Sequence, residues 1–214
     1  MLLRLYQVLL YLIQPLIWLR LLLRSRKAPA YRKRWGERYG FCKGKVVPQG
    51  ILLHSVSVGE TLAAVPLVRA LRHHYPDLPI TVTTMTPTGS ERVRSAFGDD
   101  VYHVYLPYDL PGSVNRFLTT VDPKLVIIME TELWPNLISQ LYRRKIPLII
   151  ANARLSERSA AGYQKLGSFV KTMLRKITLI AAQNQEDGER FIALGLKRSH
   201  LHITGSLKFD ISVT

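Results

Sequence analysis

Cysteine is almost absent from this sequence, since Cys42 is the single cysteine among 214 residues. One cysteine excludes an internal disulfide and any cysteine-based zinc cluster, and it favours a reducing compartment. The six histidines offer no substitute, because none of them has the spacing of a metal-binding pair. We therefore predict no metal site.

The glycine-rich loops that bind nucleotide phosphates are also missing. The loop that follows the first predicted strand, residues 54–61, contains a single glycine. It has neither the G-x-G-x-x-G pattern of dinucleotide-binding folds nor the Lys-Ser/Thr pair of a P-loop. We therefore expect no cofactor.

Acidic residues are scarce at the start of the chain. Residues 1–50 contain 11 Lys and Arg and one acid, Glu37, whereas the remainder contains 19 Lys and Arg and 14 acids. The formal net charge of +15 by itself would suggest a nucleic-acid binder. Because most of the excess lies beside an apolar segment, an anionic membrane surface explains it better, and we predict membrane lipids and no nucleic acid as partners.

The apolar run at the N-terminus is short. Residues 5–19 carry no charge, whereas a full membrane span needs about 20 apolar residues. Tyr6, Tyr11 and Trp18 are rings of the kind enriched at bilayer interfaces. We interpret residues 1–27 as a hydrophobic anchor with a basic flank, which either spans the bilayer or lies in its interface.

The apolar segment has two alternative interpretations. One is a helix buried in the core of the protein, which would be apolar for the same reason. A cleaved signal peptide is disfavoured, because several cations separate the apolar run from the small residues at 28–30. The cations between Arg20 and Arg34 predict that the downstream chain lies on the cytoplasmic side of the membrane.

The rest of the chain alternates between short β-branched runs and helical patterns. We predict strands at 51–54, 80–83, 101–105, 125–129, 147–151, 178–181 and 202–204, and helices at 60–74, 88–96, 113–120, 133–144, 159–175 and 186–194. This alternation predicts an α/β fold with a Rossmann-like parallel sheet. We place a basic membrane-proximal segment at 28–49, the Rossmann-like domain at 50–205 and the start of a linker at 206–214.

Polar residues follow three of the predicted strands. In parallel sheets the binding crevice lies outside the carboxyl ends of the strands. Glu60 opens a helix after the first strand, where it either complements the helix dipole or acts as a general base. A dipole-stabilised carboxylate would stay ionised, and its low pKa would limit its strength as a base.

Two further strand ends carry charged side chains. Glu130 directly follows a buried run and should face the crevice. Glu132 has a simpler interpretation, a place in the first turn of a helix that Thr131 caps. Lys208 after the last strand is either a surface lysine or a cation that meets a phosphate or sugar carboxylate.

Five motifs in order resemble those of the Kdo transferase family. They are His-Ser-Val-Ser-Val-Gly-Glu-Thr at 54–61, Thr-Thr-Met-Thr-Pro-Thr-Gly at 83–89, Glu-Thr-Glu-Leu-Trp-Pro-Asn at 130–136, Asn-Ala-Arg-Leu-Ser at 152–156 and Thr-Gly-Ser-Leu-Lys-Phe-Asp at 204–210. The resemblance covers essentially the whole chain. It implies the N-terminal, acceptor-binding domain of a two-domain GT-B glycosyltransferase, without the donor-binding domain that would follow the linker.

The resemblance also implies an activity and residue roles. Kdo would pass from CMP-Kdo to a lipid A precursor (lipid IVA) at the cytoplasmic face of a bacterial inner membrane, in lipopolysaccharide biosynthesis, with inversion. Glu60 matches the general base, and Glu130 and Lys208 match positions that stabilise the transition state. The candidate acceptor-binding residues are Ser55, Ser57 and Gly59 in the first loop and the cations Arg32, Lys33, Arg34 and Arg38.

This half alone is expected to bind acceptor weakly and to transfer little. Two other functions stay open. One is a membrane-tethered module that binds the lipid acceptor without catalysis. The other is a GT-B transferase of different donor specificity.

Overall fold

A computed structural model describes residues 2–44 and 46–207 of the chain. It contains seven strands, each within two residues of its predicted bounds. They are β1 (Ile51–His54), β2 (Ile80–Thr84), β3 (Tyr102–Tyr105), β4 (Leu125–Met129), β5 (Leu148–Ala153), β6 (Leu179–Ala182) and β7 (Leu201–Ile203). The prediction of alternating strands and helices is confirmed.

All seven strands form one parallel sheet in the order β3-β2-β1-β4-β5-β6-β7. The chain therefore builds outward from β1 to β3, then returns to the other side of β1 and builds outward again. The reversal lies between β1 and β4, which pair from Ile51 with Leu125 to His54 with Ile128. The predicted Rossmann-like parallel sheet is confirmed.

The central strands β1 and β4 are buried on both faces because helices cover both sides of the sheet. Leu52 of β1 packs into one apolar cluster together with Phe117 and Ile138. Its neighbour Leu53 points to the opposite face and joins a second cluster with Val68. These two strands therefore contribute alternate side chains to two separate cores, which is why their sequences are almost continuously apolar.

Nine α-helices occur in the described residues. The prediction of a single helix at 159–175 is wrong. Two shorter helices occupy this region, and Gly167, with a φ of 47°, separates them. The helices are α1 (Leu2–Leu12), α2 (Gln14–Lys27), α3 (Val58–His74), α4 (Pro87–Phe97), α5 (Pro111–Val121), α6 (Pro135–Arg143), α7 (Glu157–Gln164), α8 (Ser168–Leu174) and α9 (Gln185–Ala193).

The N-terminal apolar segment forms α1 and α2, which are bent by 45° at Ile13. Within residues 2–44 and 46–207 no single helix is long and apolar enough to cross a membrane, and only this bent pair meets the requirement of length and composition together. None of the residues of α1 is buried, and Leu12 and Leu16 are 68% and 65% exposed. The alternative of a buried core helix is therefore wrong.

Candidate active site

The loops after β1 and β4 lie side by side at the point where the strand order reverses. In open parallel sheets this crevice is where ligands bind. The loop after β1 leads to Glu60, and the loop after β4 carries Glu130 and Glu132. The structure thus brings two of the predicted catalytic residues to one place, while the third, Lys208, lies outside the described residues.

Glu60 sits in the first turn of α3 and is held by a reciprocal cap. The Ser57 hydroxyl oxygen accepts the backbone N–H of Glu60 over 3.2 Å, which starts the helix. In return, Oε2 of Glu60 accepts the backbone N–H of Val56 over 2.8 Å. The sequence pattern Ser-x-x-Glu is that of a capping box, so local chemistry fixes the direction of this carboxylate.

Burial raises the pKa of Glu60 above its usual value, and the charge of Glu130 adds to the rise. Hydrogen bonds from Val56 and Ser57 act in the opposite direction but do not cancel it. The expectation of a low, dipole-stabilised pKa is therefore wrong, because the residue is only 9% exposed. A base whose pKa moves toward neutrality accepts a proton more readily.

Glu132 does not lie in a helical turn. Trp134 occupies the N-cap position of α6 and Pro135 its first turn, so Glu132 precedes the helix. Thr131 is not the cap either, because its hydroxyl donates to the Arg154 carbonyl oxygen and accepts the Arg154 N–H over 3.2 Å. The interpretation of Glu132 as a residue in the first turn of a helix that Thr131 caps is therefore wrong.

The three carboxylates influence one another electrostatically. Burial raises the pKa of Glu132 to about 7, and the charges of Glu60 and Glu130 contribute to the rise. At neutral pH Glu132 is therefore poised between its charged and neutral forms. Sequence analysis named Glu132 but assigned it to a helical turn and left it out of the candidate site, although two acids in the loop after one buried strand were the signal for it.

A polar cavity of about 340 Å³ opens beside these acids, between the ends of β4 and β5. Glu130 and Glu132 line one side. The other side presents Arg154 and the hydroxyl groups of Ser156 and Tyr163. Carboxylates, a guanidinium and hydroxyls in one cavity are suited to a ligand rich in hydroxyl groups, such as a sugar.

An aromatic pair, the buried His54 and the half-buried Trp134, lies beside the ends of β1 and β4. His54, at the end of β1, is 1% exposed, and burial lowers its pKa to about 4, so its imidazole is neutral. Its Nδ1 is hydrogen-bonded to the Thr83 hydroxyl over 2.9 Å, and its ring meets that of Trp134 edge-on at 6.4 Å between centroids. Both His54 Nε2 and Trp134 Nε1 are buried without a partner among the described residues.

Asn152 is a second site residue that sequence analysis missed. It lies in the irregular part of β5, between Ile150 and Ala153, with a φ of 55°. Its side-chain oxygen accepts the backbone N–H of Leu207 over 3.1 Å. Because Leu207 immediately precedes Lys208, this bond fastens the exit segment of the chain to the edge of the sheet that carries the acids.

The remaining residues of the first loop differ in accessibility. Ser55 is fully buried, and its hydroxyl is hydrogen-bonded to that of Thr61 over 2.9 Å. Ser57 and Gly59 are exposed. A side chain added at Gly59 would approach only the Ser57 hydroxyl, at 3.9 Å, so a ligand has room to approach this backbone. Their role in acceptor binding stays a prediction.

Two of the four candidate acceptor-binding cations are engaged inside the fold. Arg34 forms two hydrogen-bonded contacts with Glu37, at 2.8 and 2.7 Å, and a third with Ser90 at 2.7 Å. Arg38 is 3% exposed and donates to the Met85 carbonyl oxygen over 3.1 Å. Arg32 and Lys33 are exposed. Acceptor binding by these four residues stays a prediction.

No group of three or more His, Cys, Asp and Glu side chains within residues 2–44 and 46–207 is arranged to hold a metal ion. Glu60, Glu130 and Glu132 interact through their charges and do not form such a group. The chemistry that this arrangement supports by itself is proton transfer to or from a hydroxyl group.

Comparison with known proteins identifies relatives along nearly the whole chain. The family profile of 3-deoxy-D-manno-octulosonic-acid transferase (kdotransferase) matches residues 33–211. A 3-deoxy-D-manno-octulosonic acid transferase of Haemophilus influenzae is 54% identical over 97% of this chain and 49% of its own length. The corresponding protein of Bordetella pertussis is 34% identical over 93% of this chain and 48% of its own length. The chain thus spans about half the length of these relatives.

Solved structures support the fold at low sequence identity. A UDP-GlcNAc 2-epimerase from Neisseria meningitidis, bound to UDP-GlcNAc, matches with a TM-score of 0.56 at 13% identity, over 76% of this chain and 48% of that one. A putative UDP-N-acetylglucosamine 2-epimerase from Listeria monocytogenes gives a TM-score of 0.55 at 13% identity, over 75% of this chain and 45% of that one. These likenesses concern the GT-B-like Rossmann architecture alone. The family profile and the sequence relatives lead to one assignment: the chain belongs to the Kdo transferase family of glycosyltransferases and corresponds to its N-terminal half.

Proposed function

We propose that this chain supplies the acceptor side of an inverting transfer of Kdo from CMP-Kdo to a lipid A precursor. The observation that carries the proposal is the position of Glu60, a buried carboxylate with a raised pKa at the junction of β1 and β4. Glu130 and Glu132 lie close enough to act on it electrostatically. The family membership supports the choice of sugar.

In the proposed reaction Glu60 removes the proton from the acceptor hydroxyl group, the 6′ hydroxyl by family resemblance. The hydroxyl oxygen forms a bond to the anomeric carbon of Kdo as the bond to the CMP phosphate breaks, and CMP leaves with that electron pair. Glu130 and Lys208 stabilise the transition state, as their motifs imply. The backbone N–H of Val56 holds the Glu60 carboxylate in one orientation, which keeps the base in place before the substrate arrives.

The proposal includes a membrane location, the cytoplasmic face of a bacterial inner membrane. Large apolar side chains of α1 and α2 are exposed. The second half of α2 carries four cations, Arg20, Arg24, Arg26 and Lys27. An apolar surface bordered by cations is suited to anionic lipid headgroups. An acceptor whose acyl chains lie in the bilayer would be met at this surface.

The test is a transfer assay with CMP-Kdo and lipid A precursor in detergent. It compares the chain alone, the chain with a donor-binding half added in trans, and the same pair carrying Glu60→Gln. We expect product from the complemented wild type and a rate lower by about 10²–10⁴ for Glu60→Gln, the range that a general base contributes. Glu157→Gln is the matched control, since Glu157 is also an acid in the first turn of a helix but its side chain is 87% exposed.

The outcomes separate the candidate functions. Undiminished product from Glu60→Gln would remove Glu60 as the base and direct attention to Glu130. Absence of product from every mixture, with lipid binding intact, would favour the second candidate, an acceptor-binding module without catalysis. That candidate is kept because the chain spans about half the length of its relatives.

A further inference from the structure

A cavity of about 330 Å³ lies between the N-terminal helices and the strand-end loops. Its volume is at the lower end of the range of about 300–1,000 Å³ for small-molecule pockets. Leu10, Ile17 and Leu21 of α1 and α2 form one wall, and Met85 and Trp134 contribute to the opposite wall. The lining is mainly apolar, and the cavity borders the candidate active site through Trp134, which contacts His54.

The same cavity is lined by cationic side chains. Arg20, Arg24 and Arg38 line it. Arg38 is 3% exposed, and its Nε is buried without a partner among the described residues. Three guanidinium groups outnumber Asp109, the one acid in the lining, so the cavity favours a ligand that carries anionic or acceptor oxygens.

We propose that this cavity binds an acyl chain of the lipid acceptor together with an adjacent headgroup oxygen, phosphate or ester. This inference rests on the proposed function and deepens it, because α2 becomes a wall of the acceptor site as well as part of the membrane-facing surface. The apolar wall takes the acyl chain, while the guanidinium groups meet the oxygens. An anionic phospholipid of the bilayer has the same chemistry, so the experiment separates the two sources.

The first experiment measures binding to the chain itself by titration calorimetry with dodecyl phosphate below its micellar concentration. Ile17→Trp fills the cavity from α2, whereas Leu19→Trp places the same side chain on the exposed side of that helix, where Leu19 is 53% exposed. We expect one saturable site in the wild type, weakened about tenfold or more by Ile17→Trp and less than about twofold by Leu19→Trp. Equal effects of the two variants, or no effect of Ile17→Trp, would overturn the proposal.

A second comparison tests the headgroup contact. The double variant Arg20→Gln with Arg24→Gln removes two cations that line the cavity. The double variant Arg26→Gln with Lys27→Gln removes the same charge from the end of the same helix, at residues that do not line it. We expect the first pair to weaken dodecyl phosphate about fivefold or more and the second pair about twofold or less. Equal losses would mean general attraction of an anion and would overturn the headgroup contact.

The source of the lipid is decided with the complemented enzyme and with vesicles of phosphatidylglycerol. If the cavity binds the acceptor, Ile17→Trp should raise the KM for lipid A precursor about tenfold. The kcat should change less than about twofold, and binding to the vesicles should not change. An unchanged KM with weakened vesicle binding would assign the cavity to bulk phospholipid and overturn the proposal. Binding of dodecyl phosphate does not require transfer, so this cavity and the transferase activity can fail separately.

Discussion

The Tyr6 hydroxyl donates a hydrogen bond to Asp109 Oδ2 over 3.0 Å, and this contact fastens α1 to the domain. Asp109 also accepts the backbone N–H groups of Asn136 and Leu137, each over 2.8 Å, at the start of α6. One buried carboxylate therefore caps α6 and holds α1. Tyr6 and Gln7 of α1 form hydrogen bonds with the domain, whereas several large apolar side chains of the helix, such as that of Leu12, are exposed, unlike those of a helix that packs on a core.

Removal of the Tyr6 hydroxyl should loosen α1 without unfolding the domain. A hydrogen bond to a charged group contributes about 1.5–3 kcal/mol, so Tyr6→Phe should speed amide hydrogen exchange in α1 about tenfold or more. Exchange in β1 and β4 should not change. Tyr11→Phe is the control, because Tyr11 lies on the same helix and is 54% exposed. Equal exchange in the two variants would show that the Asp109 contact does not hold the helix.

Glu132 should make the stability of the fold depend on pH. Its pKa is about 7 in the folded chain against a usual value of 4.5, so the folded state binds its proton more tightly. Stability therefore falls as pH rises from about 4.5 to about 7 and is level above that range. Glu132→Gln should be more stable than the wild type above pH 7 by about 1–2 kcal/mol, after allowance for solvent screening, and should match it below pH 4.5.

Urea unfolding of the wild type and Glu132→Gln at several pH values measures this difference. The exposed Glu157→Gln serves as the control. A stability difference that is the same at every pH would assign the effect of Glu132→Gln to packing and contradict the ionisation argument.

Asn152 should hold the exit segment through its side-chain oxygen. Asn152→Gly keeps the left-handed backbone accessible but removes the acceptor, whereas Asn152→Asp keeps both. We expect the Leu207 amide hydrogen to exchange up to about tenfold faster in Asn152→Gly and to stay near the wild-type rate in Asn152→Asp. Lys145→Gly, at an exposed residue with a φ of 58°, is the backbone control. Unchanged exchange in Asn152→Gly would remove Asn152 from this role.

Gly40 should be required for the basic segment to pack on α5. Its φ is 81°, and an added Cβ would lie 2.3 Å from the Ser113 carbonyl oxygen. Gly40→Ala should therefore cost about 3 kcal/mol or more in the free energy of unfolding. Gly44 has a φ of 90°, and an added Cβ would make only an ordinary contact with the Tyr102 ring, at 3.8 Å, so Gly44→Ala should cost only about 1 kcal/mol. Thermal unfolding compares the two variants, and equal losses would mean that backbone strain alone matters.

Much of the fold could be predicted from local sequence. The strands are short apolar runs between helical patterns, and this alternation by itself leads to a parallel sheet. The Ser57 hydroxyl accepts the Glu60 N–H as a capping-box pattern predicts, whereas the Glu60 carboxylate accepts the N–H of Val56, one residue before the N-cap. The helix break at Gly167 was missed, because a glycine inside a helical pattern indicates an interruption only weakly.

The chemistry of the site could be predicted only in part. Glu60 and Glu130 could be placed at strand ends, because parallel strands bring their carboxyl ends to one edge. Neither the raised pKa of Glu60 nor that of Glu132 could be predicted, because each depends on burial by distant parts of the chain and on the other acids. The contact of Asn152 with Leu207 could not be predicted either, because it depends on an irregularity in the pairing of β5 that leaves no periodic pattern in the sequence.

The sequence by itself determined the elements, the order of its motifs and the location of its charges, because hydrogen-bonding caps and apolar periodicity act over a few residues. Only the tertiary structure decided which acids share a site, which arginines are buried, and that a cavity lies between α2 and Trp134. These properties depend on contacts between residues far apart in the chain. Desolvation and charge coupling are fixed only when the sheet order has brought those residues together.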